Sequence, residues 1–134
     1  MPYHFNISVK QDHIRVDVSG EGDARESKRD VAFLWKTIAD TCRKENNNNI
    51  LAVFDLVGGA PVMATYSAVT HAEQLGWSVN FRLAVADLHT ESMKGNLYNE
   101  TIAASRGYPM KTFSNEKAAL EWLVNDSTDN LINK

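Results

Sequence analysis

A chain of 134 residues has the length of one domain, and 43% apolar with 23% charged residues is an ordinary globular balance, enough to bury a core without disulfides or metal. The net charge of −3 and pI near 5.8 supply no basic field for nucleic acid or an anionic membrane. The single cysteine, Cys42, excludes an internal disulfide and, on a helical pattern, reads as a buried thiol.

The N-terminal "MPYHFNISVKQDH" lacks the charged start and apolar run of a signal peptide. No apolar stretch approaches the roughly 18 residues of a membrane helix. A cytoplasmic protein without membrane insertion is therefore expected, and the sequons at Asn6, Asn99 and Asn125 are chance matches. "YHFNISVK" and "HIRVDVSG" alternate polar and apolar residues, which predicts two half-buried strands, 3–9 and 13–19, joined as an antiparallel hairpin. After the turn "SGEGD", the residues Val31, Leu34, Trp35, Ile38 and Cys42 fall on one helical stripe. Asp23 with Glu26 fits a capping box, and "NNNN" from Asn46 to Asn49 should end the helix, because Asn tolerates left-handed backbone.

"ILAVFDL" is apolar almost throughout, as expected of a strand covered on both faces. Pro61 suits a first helical turn and Gly76 a helix stop, so "PVMATYSAVTHAEQLG" reads as a helix. "SVNFRLAVAD" alternates through Val79, Phe81, Leu83 and Val85 and reads as a strand. A helix capped by Thr90 follows, weakened by Gly95. "MKTF" is a short strand, and a last helix opens with Ser114 as its cap and carries Ala119, Trp122 and Leu123 on one stripe. Trp35 and Trp122 are both expected to be buried against the sheet. The polar "STDNLINK" reads as a fraying tail.

The expected fold class is α/β: a mostly parallel five-stranded sheet with an antiparallel first strand and four helices, in the order β-β-α-β-α-β-α-β-α. One domain over 1–126 and a polar tail over 127–134 are expected.

This order, the strand ending "FDL" and the closing "MKTFSNEKAALEWL" resemble the STAS/SpoIIAA-like (anti-sigma-factor antagonist-like) family, in particular its compact branch. The matching closing residues are Phe113, Ser114, Ala118, Ala119, Trp122 and Leu123. Residue-level likeness is confined to 50–56 and 110–123. The resemblance implies a non-enzymatic regulatory domain. The family's anti-sigma-factor antagonists are switched by phosphorylation of a Ser in an Asp-Ser-Ser-Gly stretch before a helix. Here the corresponding residues are "MATY": Met63 and Ala64 stand where Asp and Ser would, and Thr65 is the nearest hydroxyl. The switch is accordingly not expected, with Thr65 as the one residual phosphorylation candidate.

The junction "DLVGGAP" is the first candidate site. A strand running into a helix start can present free N–H groups to an anion, and Gly58 and Gly59 would let a ligand approach the backbone. The same residues also make a plain turn with Pro61 opening the helix. Met63, Tyr66, Tyr98 and Trp77 serve packing or line an apolar groove. "GEGDAR" holds half of a dinucleotide fingerprint, but Arg25 replaces its third small residue and turning explains it. Asp55 and Asp87 end strands, with His89 and Glu91 close after Asp87. Such a set either caps backbone or forms a small metal-dependent or acid–base site. His4, His13 and His71 show no ligand spacing and are expected in solvent, and Ser67 and Ser105 have no His–Asp context.

Two readings follow. One is an interaction or regulatory domain binding a partner protein or a small apolar or anionic ligand around Gly58, Gly59, Pro61, Met63 and Tyr66. The alternative is an enzyme using Asp55, Asp87 and His89. The first implies no cofactor or metal and no nucleic acid, and leaves a homodimer open.

Overall fold

The computed structural model describes residues 3–21, 28–57, 74, 76–88, 97 and 100–132. Five strands form one sheet in sequential order: β1 (Tyr3–Val9), β2 (Ile14–Glu21), β3 (Asn49–Val57), β4 (Arg82–Asp87) and β5 (Met110–Phe113). β1 is antiparallel to β2, and every later pairing is parallel. Helix α1 (Lys28–Glu45) lies between β2 and β3, a helical stretch at residues 100–105 between β4 and β5, and helix α2 (Glu116–Ile132) after β5. The described residues thus hold three helical stretches where four were expected, and the helix anticipated over 61–76 lies outside them apart from Gln74 and Gly76.

Strand alternation sorts the sheet into two faces. Ile14, Val16 and Val18 of β2 share one face with Ile50, Ala52 and Phe54 of β3 and Leu83 and Val85 of β4. α1 closes that face with Leu34, Trp35, Ile38, Ala39 and Cys42. The opposite face of β3 and β4 presents Leu51, Val53, Ala84 and Ala86, which α2 covers with Ala119 and Leu123. β3 is therefore buried on both sides, as its continuous apolar run requires. Burial takes the Cys42 thiol from its ordinary 9.0 up to about 12.

The helix ends follow turn chemistry. Asn46 adopts φ 53°, with Asn46 N–H donating to the Arg43 carbonyl at 3.3 Å and Asn47 N–H to that of Cys42 at 3.0 Å. These two bonds form a Schellman stop with Asn in the left-handed position. Gly76 has φ +87°, a left-handed conformation that favours glycine; a Cβ there would also sit 2.9 Å from Nη1 of Arg43, the mobile end of an exposed side chain that could shift aside.

Several boundaries differ from expectation. β2 begins at Ile14 and runs to Glu21, beyond the expected 13–19. β4 begins at Arg82, not Ser78: Phe81 N–H donates to the Ser78 carbonyl (3.1 Å) and Asn80 N–H to the Ser78 hydroxyl (3.1 Å), turning the chain and leaving Val79 exposed. Asn115, not Ser114, caps α2, its Oδ1 accepting from Ala118 N–H at 2.8 Å. α2 continues to Ile132, through much of the segment read as a tail. The expected Asp23–Glu26 capping box lies outside the described residues.

The tryptophans also differ from each other. Trp35 is in the core at 9% exposure, edge-on to Trp77 (5.5 Å between centroids) and Phe54 (6.3 Å). Trp122 is only half-buried, lying against Phe113 with the Arg82 guanidinium 4.2 Å from its ring centroid. It packs, partly buried, against the cluster on the face that α2 covers.

Candidate functional site

β3 carries the chain to Val57, at the threshold of the junction singled out from sequence. Gly58, Gly59, Pro61, Met63, Thr65, Tyr66, Ser67 and His71 lie outside the described residues, as do His89, Glu91 and Tyr98. Of the apolar candidates, Trp77 is placed. It packs edge-on between Trp35 and Phe81 (5.3 Å to the latter), and Arg43 covers the Phe81 ring at 5.5 Å, so Trp77 completes the α1-side core.

The carboxylates at the strand ends do not share a face. Asp87 is the register partner of Phe54, so both side chains project to the α1 side, where Asp87 is 2% exposed. Asp55 is one residue beyond Phe54 and projects to the opposite face, where it is exposed and aligned with Ser19. The two strands bring the acids to one sheet edge while the pleat directs them apart. Among the described residues no group of three or more His, Cys, Asp and Glu side chains is placed to hold a metal ion.

Asp55 belongs instead to a polar half-face that α2 leaves uncovered. The register aligns His4, Ser19 and Asp55 in one cross-strand row, all three exposed, with Asn6 and Asp17 in the next row and Ser8 and Arg15 beyond. The row order places Ser19 between His4 and Asp55. Adjacent strands are roughly 5 Å apart, which leaves about 10 Å between the backbones of His4 and Asp55. That order differs from that of a Ser-His-Asp relay, in which the imidazole lies between the other two groups. Sequence analysis missed this row, although its signal was present in the polar parity of the first two strands.

Arg15 is the best-connected group on this face. Its Nε and Nη2 donate to Asp17 at 2.9–3.2 Å, and its Nη1 donates to Glu116 Oε1 at 2.7 Å. The bonds to Asp17 first, and to Glu116 second, raise the guanidinium further above its already high ordinary pKa, so it is charged throughout the accessible range. Glu116 is the first residue of α2, where a carboxylate is also favoured by the helix dipole. The arrangement ties β2 to the start of the last helix. His13, expected in solvent, directly precedes β2 and is buried at 8%, its Nδ1 2.7 Å from Asp12 Oδ1. His4 is exposed, as expected.

No known family model matches the chain, and no curated protein matches it at a significant level. No helix among the described residues is long and apolar enough to cross a membrane.

Proposed function

We propose that the chain is a non-catalytic interaction or regulatory domain of the STAS/SpoIIAA-like type. It engages a partner protein or a small apolar or anionic ligand at the junction from Gly58 to Tyr66. The observation that carries this reading is the divergence of Asp55 and Asp87 across the sheet, which weakens the competing acid–base and metal reading. The element order agrees with the resemblance in its outline: an antiparallel opening strand, then parallel strands, with an apolar central β3 leading into the junction. Met63 and Ala64 in place of Asp and Ser argue that the domain works without the family's serine switch.

The test uses partner capture from the native cell together with thermal melting of the purified variants. Met63→Ala or Tyr66→Ala is expected to remove a captured partner while the melting temperature holds, and Thr65→Glu to leave the partner profile unchanged. Retention of every partner by folded Met63→Ala, Tyr66→Ala, Gly58→Ala and Gly59→Ala variants would refute the assignment to this junction. A saturable rise in melting temperature with magnesium, manganese or zinc, lost in Asp55→Asn and Asp87→Asn, would instead establish the metal-dependent reading.

A further inference from the structure

Among the described residues, the outer side of β1 has none of the devices that keep an edge strand from pairing. Among the described residues β1 pairs only with β2, at one margin of the sheet. Its sequence, YHFNISV, has no Lys, Arg, Asp, Glu or Pro, and its register with β2 runs unbroken from Tyr3 to Val9, so no bulge twists it away. Lys10 N–H donates to the His13 carbonyl, which fixes the alternation: backbone groups of Ser8, Asn6 and His4 point to β2, and those of Phe5, Ile7 and Val9 point outward. Apolar surface borders the same edge. Val9 is 51% exposed and Phe33 of α1 is 58% exposed, the latter edge-on to Phe5 at 6.1 Å.

We propose that β1 pairs antiparallel with β1 of a second copy, about a two-fold axis at Asn6, so that two sheets become one continuous sheet. The strand suits its own copy. Asn6 is its midpoint, so all seven residues pair: Phe5 of one copy opposes Ile7 of the other, Tyr3 opposes Val9, and His4 opposes Ser8. The outward groups of Phe5 and Ile7 then bond each other across the seam. Side-chain parity is preserved, so Phe5, Ile7 and Val9 of both copies stay on the α1 face, and the two exposed Phe33 rings lie on that face beside the seam. No like-charged side chains oppose each other, which a charged edge would not allow. Asn6 opposes Asn6 in a non-hydrogen-bonded pair, where side chains come within about 5 Å.

Sedimentation velocity and residue-resolved amide exchange test this. The wild-type chain, 15.0 kDa as a monomer, is expected to sediment at twice that mass at concentrations up to about 100 μM. Asn6→Lys sets two ammonium groups against each other at the axis and should weaken dimerisation on the order of 100-fold. Its exposed position leaves the monomer folded by circular dichroism. Amides of Phe5 and Ile7 should be protected in concentrated wild type and exchange quickly in Asn6→Lys, while those of Asn6 and Ser8, bonded to β2, stay protected in both. A wild-type monomer throughout this range, an Asn6→Lys dimer of unchanged strength, or a wild-type dimer whose Phe5 and Ile7 amides exchange freely would each overturn the proposal. If Asn6→Lys does not fold, the concentration dependence of Phe5 and Ile7 protection in the wild type decides alone.

Discussion

Replacing Trp35 and Trp122 separately by alanine tests the assignment of the two sheet faces, because the structure predicts unequal losses. Trp35 is 9% exposed and its ring meets two others, Trp77 at 5.5 Å and Phe54 at 6.3 Å. A buried Trp→Ala change costs roughly 3–5 kcal/mol, and edge-on ring pairs of about 0.5–1.5 kcal/mol each place this site at the upper end. Trp122 is half-buried, so its transfer and cavity terms should be about half as large, near 2 kcal/mol. Loss of the Arg82 contact at 4.2 Å adds roughly 0.5–1 kcal/mol. Trp35→Ala should therefore be the costlier by about 1–2 kcal/mol, against a total typical stability of about 5–15 kcal/mol. Equilibrium urea unfolding followed by far-UV circular dichroism, with matching denaturant slopes, gives both values. A Trp35→Ala loss under about 1 kcal/mol, or a larger loss at Trp122, would show that the packing described for α1 and α2 is wrong.

Two further outcomes follow from charge. Because burial raises the Cys42 thiol to about 12, the folded state retains a proton that the unfolded state releases above its ordinary 9.0; stability is full below pH 9 and should fall between pH 9 and 12 by up to ~1.4 kcal/mol per pH unit. That slope, measured as the wild-type minus Cys42→Ala difference in urea melts, should vanish below pH 8, and an equal slope in both proteins across the alkaline range would remove Cys42 as its cause. Arg15→Gln breaks the links to Asp17 and Glu116 and should cost about 1 kcal/mol, since all three side chains are partly solvated. The deficit should shrink in 1 M salt, where the Debye length is about 3 Å; a salt-independent deficit would mean that Arg15 acts through packing of its stem.

The sheet was the most legible part of the chain because its signals are local and redundant. Period-two alternation located β1 and β2, and an unbroken apolar run marked β3 as doubly covered. Asn46 was recognisable as a helix stop because few residues adopt φ 53° without strain. Where two residues compete for one role, sequence gave less guidance. Ser114 and Asn115 are both good caps, and only the side-chain Oδ1 of Asn115, accepting from the Ala118 amide, decides between them. Val79 and Phe81 continue the alternation of Leu83 and Val85, but the Ser78 hydroxyl and carbonyl capture the amides of Asn80 and Phe81 and turn the chain before the strand begins. The absence of ligand spacing around His13 points to solvent, yet it is 8% exposed where the chain enters β2.

The candidate site was less legible for a reason specific to sheets. Asp55 and Asp87 each end an apolar strand, and from the sequence alone they form a plausible pair. Whether two such carboxylates can act together depends on the register between their strands, since a shift of one residue exchanges the faces. No residue in either strand announces that register. It is set by the fit of Ile50, Ala52 and Phe54 beside Leu83 and Val85 under α1, and of Leu51 and Val53 beside Ala84 and Ala86 under α2. Moving β4 by one residue to align Asp87 with Asp55 would place each set of β4 side chains against the wrong helix. Leu83 and Val85 would then crowd the small-residue surface that Ala84 and Ala86 provide for α2. The packing that makes β3 and β4 the centre of the core therefore also keeps the two acids apart. Chemistry involving Asp55 has to be sought on the open face with Ser19 and His4, and chemistry involving Asp87 on the α1 side.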